Sequence, residues 1–211
     1  MDNKQKQFDQ KRWEKAVSIG RAAAKLFYEK GYLETSIDDI SNMASLSKGG
    51  IYHYFSSKNE ILYFISTSYM DFLLKDLEEE LKKVGDSFSK IQFLISRHIE
   101  LVNKYMPEAK TLIHEGHLML PKYFRIIAEK ERQYYKIVEN VLSDFGGGRV
   151  PEDELRVITF TLFGMCNSIY HWYNPKASIT PKKLSEIIRR IFCNGMVGYE
   201  LRELARDPEE E

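Results

Sequence analysis

The sequence predicts an all-α protein with an N-terminal three-helix, helix-turn-helix head and a larger C-terminal helical body. Apolar residues recur at helical spacing through most of the 211 residues, and no segment shows the strict alternation typical of a strand. Proline and glycine interrupt this pattern at intervals of helix length. We place the boundary between the two domains at the third capping signal, so that the head is residues 1–57 and the body is residues 58–211.

The head contains two short predicted helices joined by a tight turn. Ser36 is the expected N-cap of the first, and Asp39 is the acidic third residue of a capping box. The turn falls at residues 45–46, and Ser47 then caps a helix over residues 48–54. A longer helix, over about residues 10–30, precedes this pair and ends at Gly31. Together these elements predict a helix-turn-helix.

The second short helix has features that suit close contact with a large surface. Gly49 and Gly50 place no side chain between the backbone and an approaching molecule. Tyr52, His53 and Tyr54 are consecutive, and successive helical residues point about 100° apart, so at least one of them faces outward.

The next capping signal begins the fourth helix. Ser57 and Glu60 form a second capping box, with Lys58 in the first turn of the helix that follows. A cation there opposes the helix dipole unless an anion such as a phosphate lies close.

The body consists of helices separated by proline and glycine. We predict a fourth helix over residues 58–84, about 40 Å long at the standard rise per residue. Five more are expected, over residues 87–105, 107–119, 121–145, 152–173 and 181–204. The last carries one apolar stripe at helical spacing: Leu184, Ile187, Ile188, Ile191, Phe192, Gly195, Met196 and Tyr199. That stripe packs either on a second subunit or on another helix of the same chain.

Composition and charge narrow the class of protein. The formal net charge is zero, which argues against a generally basic protein that coats nucleic acid. The first 60 residues carry ten Lys or Arg and eight Asp or Glu, an excess of +2 that suits a few phosphate contacts. Only Cys166 and Cys193 occur, and no apolar run is long enough for a signal peptide or a membrane span. We therefore expect a cytoplasmic protein with no disulfide and no contact with a membrane.

The head resembles the TetR-type transcriptional repressors. The matching segments are SIDDI from Ser36 to Ile40, LSKGGIYHYF from Leu46 to Phe55, and then Lys58 and Leu62. The resemblance implies a homodimer that binds double-stranded operator DNA and is released by a small effector. It places the following residues against the DNA: Ser36, Lys48, Gly49, Gly50, Tyr52, His53, Tyr54 and Lys58. Asp38 departs from the family pattern, because many relatives carry a basic or polar residue that reads bases there.

The same resemblance implies that the last two helices pair across a two-fold axis as a four-helix bundle. The expected interface residues are Leu184, Ile188, Ile191, Phe192, Gly195 and Met196.

The effector is suggested by a second, shorter resemblance. Asn167, Trp172, Tyr173 and Pro175 have the spacing found near the C-terminus of the TetR subgroup that controls fatty-acid or steroid-ring degradation in response to acyl-CoA. Alternatively, Trp172 simply fills the bundle. An apolar tunnel would suit an acyl chain, and basic residues at its mouth would meet the CoA phosphates. The expected effector-binding residues are Phe93, Arg97, Ile113, His117, Phe124, Arg125, Phe163, Asn167 and Trp172.

Two other functions stay open. A multidrug-sensing repressor of an efflux gene would bind cationic drugs with aromatic residues and a carboxylate. A metal-dependent sensor or enzyme would use His114 and His117, one helical turn apart, although no third ligand is evident. We expect no cofactor and no enzymatic activity, because the chain has neither G-x-S-x-G nor G-x-G-x-x-G after a strand.

Overall fold

The computed structural model describes the backbone of residues 3–174 and 176–204 and the side chains of residues 9–174 and 176–195. Within those ranges the chain is helical and contains no strand. The helices are α1 (Asn3–Lys30), α2 (Ile37–Met43), α3 (Lys48–Tyr52), α4 (Lys58–Leu74), α5 (Leu77–Lys83), α6 (Ser87–Lys104), α7 (Met106–Glu115), α8 (Pro121–Phe145), α9 (Glu152–Asn167), α10 (Ile169–Trp172) and α11 (Pro181–Leu204). A 3-10 turn, Gly116–Leu118, follows α7. The predicted fold class is confirmed. No helix of the described part is long and apolar enough to cross a membrane.

The chain forms two compact units, each built from two separated segments. Unit 1 contains residues 1–75 and 105–132, and unit 2 contains residues 76–104 and 133–211. The predicted boundary after residue 57 falls inside unit 1, which holds α1 to α4 together with α7 and the first half of α8.

Unit 1 is organised around α1 and α4, and α7 packs against both. Its fully buried side chains include Ile19 of α1, Ile40 of α2, Ile51 of α3 and Ile61 of α4. One apolar residue from each short helix is thus anchored in a common core. This fixes which face of α2 and α3 points outward.

The predicted capping residues begin the helices of the head. Ser36 caps α2 in a complete capping box with Asp39, and Ser57 accepts a hydrogen bond from the backbone N–H of Glu60 at the start of α4. Gly31 ends α1 with φ +90°, a left-handed conformation that favours glycine. The capping signals therefore located these boundaries correctly.

The predicted fourth helix is wrong in length. The helix stops at Leu74, so α4 has 17 residues and is about 25 Å long, and α5 begins at Leu77. Asp76 lies between them with φ +55°. Two other predicted helices are also divided: the one over residues 107–119 becomes α7 and the 3-10 turn, and the one over residues 152–173 breaks at Ser168 into α9 and α10.

Unit 2 is built around α6, which packs against α9, α10 and α11. Its fully buried side chains include Ile91, Ile95 and Ile99, on one face of α6, and Leu142 of α8. The spacing of the α6 residues is that of a helix face turned toward a core.

The apolar stripe of α11 belongs largely to this core, which corrects part of the predicted dimer interface. Leu184, Ile188 and Phe192 are 4%, 5% and 6% exposed within the single chain. Ile191 is 60% exposed and Gly195 is also exposed, so these two remain available to a second subunit. The side chains of Met196 and Tyr199 lie outside the described residues.

Candidate nucleic-acid interface and effector cavity

The outward face of α3 carries most of the predicted DNA-binding residues. Ser47 caps the helix by accepting a hydrogen bond from the N–H of Gly50 at 3.0 Å. A β-carbon added at Gly49 would meet no atom closer than 3.9 Å, so this part of the backbone is open to an approaching surface. The first turn of α3 therefore presents bare backbone beside Lys48.

The three aromatic residues after the glycines differ in exposure. Tyr52 is 49% exposed, His53 is exposed and Tyr54 is half-buried. The rings of His53 and Tyr54 meet edge to face with centroids 5.1 Å apart. Ile51 and Phe55 on either side are buried, which holds the exposed rings in place.

Two polar residues of the predicted interface already pair with acidic side chains: Ser36 with Asp39, and Lys48 with Asp38. Ser36 Oγ and the Ser36 N–H both donate to Asp39, which also pairs with Lys30 at 2.8 Å. The Lys30 contact and the Ser36 hydrogen bonds hold the pKa of the Asp39 carboxyl well below its usual range. Lys48 Nζ lies 3.1 Å from Oδ2 of Asp38.

Lys58 has a different environment from the one expected. Its ammonium donates to the backbone carbonyls of Tyr32 at 2.8 Å, Leu33 at 3.2 Å and Thr35 at 2.7 Å. It also lies 4.4 Å from the centre of the Tyr32 ring, and desolvation lowers its pKa. Three carbonyls thus accept from its ammonium and offset its unfavourable position at the positive end of the helix dipole, the role predicted for a phosphate. We therefore leave Lys58 out of the candidate interface.

Unit 2 contains a small cavity among apolar and aromatic side chains. Its lining residues come from α6, α8 and α9: Leu94, Ile95, His98, Tyr134, Val138, Leu162, Phe163 and Cys166. The space is about the size of one water molecule. An acyl chain fits there only if the surrounding helices move apart.

Three polar residues form a chain of hydrogen bonds beside the cavity. His98 Nδ1 lies 3.0 Å from the Tyr134 hydroxyl, and His98 Nε2 lies 2.9 Å from Oδ1 of Asn167. Because an amide oxygen only accepts, Nε2 carries the proton and the Tyr134 hydroxyl donates to Nδ1. This network joins α6, α8 and α9 at a buried point.

Burial keeps the ionisable groups that line the cavity neutral. His98 is 4% exposed, and desolvation lowers its pKa to about 4. Desolvation raises the pKa of the Cys166 thiol to about 12 and also raises the pKa of Tyr134 above its ordinary value. The cavity is therefore lined by neutral groups at physiological pH.

The predicted effector residues fall into both units. In unit 2, Phe163 lines the cavity, Asn167 bonds His98, and Arg97 pairs with Glu80 at 2.7 Å. Phe93 is half-buried, and Trp172 is 60% exposed, so Trp172 does not fill the interior of the bundle in the single chain. Four further residues lie in unit 1 and are exposed: Ile113, His117, Phe124 and Arg125.

Sequence reasoning missed His98. A single histidine on an apolar helix face gives no motif, and its partners are 36 and 69 residues away. The detectable signal was weaker: a polar residue on an otherwise apolar face of α6.

Exposed apolar residues lie on α9 and on α11, which pack together in unit 2. On α9, Val157 is 64% exposed and Phe160 53% exposed, and Gly164 lies one turn further along the same face. On α11, Ile191 and Gly195 are one turn apart. A β-carbon added at either glycine would meet nothing within 4 Å. We call this set the α9–α11 face.

The described side chains around His114 and His117 offer no group of metal ligands. Among the side chains that the structure describes, no three His, Cys, Asp or Glu residues come together in a way that could hold a metal ion. His114 and His117 are both exposed near the end of α7. The geometry thus adds no third ligand to this alternative.

Models of two protein families match this chain. A model described as "Tetracyclin repressor-like, C-terminal domain" matches residues 85–196, and one described as "Bacterial regulatory proteins, tetR family" matches residues 19–63. The chain belongs to the TetR family. This confirms the family resemblance seen in the helix-turn-helix, and it makes the chain a transcription regulator.

Three similar proteins share modest identity with this TetR-family chain. The "Fatty acid metabolism regulator protein" of Bacillus subtilis is 31% identical over 88 residues, which are 42% of this chain and 45% of that protein. The "HTH-type transcriptional repressor KstR2" of Mycobacterium tuberculosis is 23% identical over 180 residues, covering 82% of this chain and 88% of that protein. The crystal structure of AibR in complex with isovaleryl coenzyme A and operator DNA is 22% identical, with a TM-score of 0.74, and covers 84% of this chain and 97% of AibR. That likeness shows the fold alone.

Proposed function

We propose that the chain is a homodimeric repressor that binds a pseudopalindromic operator through α3 and is released by an acyl-CoA. The DNA half of this proposal rests on one observation, the outward face of α3. Bare backbone at Gly49, a lysine and two exposed aromatic rings meet there on a helix whose inner face is anchored. These are the groups that donate to phosphates and enter a groove.

The predicted contacts divide by type. Lys48, Tyr52 and Tyr54 have donors that suit phosphate oxygens, which position a protein without reading sequence. Gly49 and Gly50 allow close approach of the backbone. Ser36 remains a proposed DNA contact because it lies at the start of α2, although its hydroxyl already bonds Asp39.

The α9–α11 face supports the homodimer. Large exposed apolar side chains on adjacent helices are uncommon on a monomer and mark association sites. The open glycines Gly164 and Gly195 allow another helix to come close. In the operator complex, two copies of α3 would lie about 34 to 36 Å apart, the separation of successive major grooves on one side of the duplex.

The cavity of unit 2 supports a hydrophobic, uncharged effector group. None of the eight described side chains that line it is a carboxylate, and its histidine is neutral. A cation buried there would lack a counter-charge, which is strongly unfavourable. This observation favours an acyl chain over the cationic drugs of a multidrug sensor.

The energetics suit control by an acyl chain. Each buried methylene contributes about 0.8 kcal/mol, so a chain of a dozen carbons supplies a large gross driving force. Because the cavity is now the size of one water molecule, the chain must separate α6, α8 and α9 to enter. An effector that binds only the separated arrangement shifts the protein toward it.

Two relatives support an acyl-CoA as the effector. The Bacillus subtilis relative is named for fatty-acid metabolism, and AibR holds both isovaleryl coenzyme A and operator DNA on the same fold.

The test begins with an operator selected from a random duplex library by the full-length protein. The labelled complex is then titrated with acyl-CoAs of graded chain length, with free CoA, and with cationic dyes. We expect release by acyl-CoAs, with a concentration requirement that falls as the chain lengthens, and no release by free CoA. Release by dyes and by no thioester would overturn the effector half, and failure to select any duplex would overturn the DNA half.

A further inference from the structure

The ion pair between Asp38 and Lys48 crosses the turn of the helix-turn-helix. Oδ2 of Asp38, in the first turn of α2, lies 3.1 Å from Nζ of Lys48, the first residue of α3. The side chains are 64% and 54% exposed, so both reach the outward face. A carboxylate thus engages the cation that the proposed interface needs.

The neighbouring Asp39 shows what an acidic residue does when its role in α2 is structural. Its carboxylate accepts from the N–H and hydroxyl of Ser36 and completes the capping box. The carboxylate of Asp38 takes no part in that box, and its described side-chain partner is Lys48. Stabilisation of the helix dipole explains an acid near the start of α2, but it does not explain a pair with Lys48.

We propose that Asp38 competes with DNA phosphates for Lys48 and so lowers the affinity of the repressor for duplexes of every sequence. The inference rests on the proposed contact between Lys48 and the operator. A phosphate takes Lys48 only after the ion pair opens or is shared. The carboxylate then remains beside a negatively charged backbone.

Salt dependence follows from the same competition. A lysine that neutralises a phosphate releases a counterion, and each such contact steepens the fall of log K with log salt by about 0.9. A lysine already neutralised by Asp38 contributes less. Since phosphates carry no sequence information, the loss is shared by operator and random DNA.

The central experiment compares Asp38→Asn with the natural chain on the selected operator and on a random duplex of equal length, at several salt concentrations. We expect Asp38→Asn to bind both duplexes about three- to tenfold more tightly at low salt, with a slope steeper by about one. A gain on only one duplex would overturn the proposal, because Asp38 would then be reading bases.

A matched control removes the same charge elsewhere in unit 1. Glu29 pairs with Lys25 on α1 at 3.9 Å, and both are exposed. We expect Glu29→Gln to change affinity less than about twofold. A gain equal to that of Asp38→Asn would overturn the proposal, since net charge alone would explain both.

Lys48→Ala separates this inference from the proposed interface. If Lys48→Ala leaves affinity and salt slope unchanged, the proposed contact of Lys48 fails and the inference fails with it. If Lys48→Ala weakens binding but Asp38→Asn gives no gain, only the inference is overturned. In the double variant we expect the gain from Asp38→Asn to shrink to less than half. A full gain there would also overturn the proposal, because Asp38 would act without Lys48.

Discussion

The side-chain amide of Asn59, in the first turn of α4, donates a 2.9 Å hydrogen bond to the carbonyl of Leu118. The same amide accepts a 2.9 Å bond from the N–H of Leu120. The Asn59 side chain therefore holds the segment between the 3-10 turn and α8 against α4.

We expect Asn59→Ala to lower the free energy of unfolding by about 1–3 kcal/mol, because it removes the partner of the partly buried Leu118 carbonyl and that of the Leu120 N–H. The amide of Leu120 should exchange faster with solvent. Denaturant titration and hydrogen exchange measure both effects. Asn140→Ala, at an exposed position of α8, is the control and should change neither. A fully stable Asn59→Ala variant would contradict this prediction.

Two isoleucines of α11, three residues apart, should respond differently to a charge. Ile191→Glu places a carboxylate on the exposed α9–α11 face, and we expect folded monomers that no longer bind the operator tightly. Ile188→Glu buries the charge in the core of unit 2 and should lower stability by several kcal/mol. Sedimentation and thermal melting distinguish the two results.

Ile126→Glu, at a 44% exposed position of α8, is the control for surface charge and should stay dimeric. A dimeric Ile191→Glu variant that binds DNA normally would remove the α9–α11 face from the interface.

The aromatic residues of α3 allow a test with little effect on folding. Tyr52 is half exposed, so Tyr52→Phe removes its hydroxyl without disturbing the core. We expect operator and random duplexes to bind about three- to tenfold more weakly, in parallel, which is the signature of a lost phosphate contact. Tyr54→Ala should also weaken both, but Tyr54 is half-buried and the variant must first be shown to melt normally. Fluorescence anisotropy measures both affinities. Unchanged affinity in both variants would exclude Tyr52 and Tyr54 from the interface.

Burial of His98 predicts a loss of stability in mild acid. The folded pKa of about 4 lies below the ordinary value of 6.5, so the unfolded chain binds the proton more readily. Stability from this group is complete above pH 6.5 and is lost as the pH falls toward 4. The loss reaches about 3 kcal/mol.

The measurement is the free energy of unfolding at pH 7, 6 and 5 for the natural chain and for His98→Gln. The difference between the two curves isolates this residue, because the carboxyl groups are the same in both proteins. His117→Gln, at an exposed histidine, should follow the natural chain. Parallel curves for all three proteins would show that His98 is not held neutral.

Helix boundaries were predictable where a side chain or glycine sets the backbone locally. Ser36, Ser47 and Ser57 accept the capping hydrogen bonds expected of them, and Gly31 has the expected positive φ. The break at Asp76 was not predictable, because the surrounding Leu, Glu and Lys residues all favour a continuous helix. The break lies instead in the backbone, where Asp76 adopts a positive φ between the last residue of α4 and the first of α5.

The candidate sites were likewise predictable only where adjacent residues form them. The helix-turn-helix face follows from adjacent residues, so a motif revealed it. A periodic stripe indicates which face of a helix is apolar but not what covers it, and so Leu184 and Ile188 were assigned to a partner instead of α6 and α9. The contact between His98 and Asn167 joins distant parts of the chain, and no local pattern encodes it.

The division of unit 1 into two chain segments affects how the DNA-binding part can be studied. A gene fragment ending at residue 57 would lack α4 and α7, which both pack against α1. Lys110 would no longer reach the carbonyl of Tyr28, and Glu115 would no longer accept from the N–H of Tyr32. Such a fragment should aggregate on expression. A working minimal DNA-binding protein would instead require residues 105–132 to be rejoined to residue 75 by a designed linker.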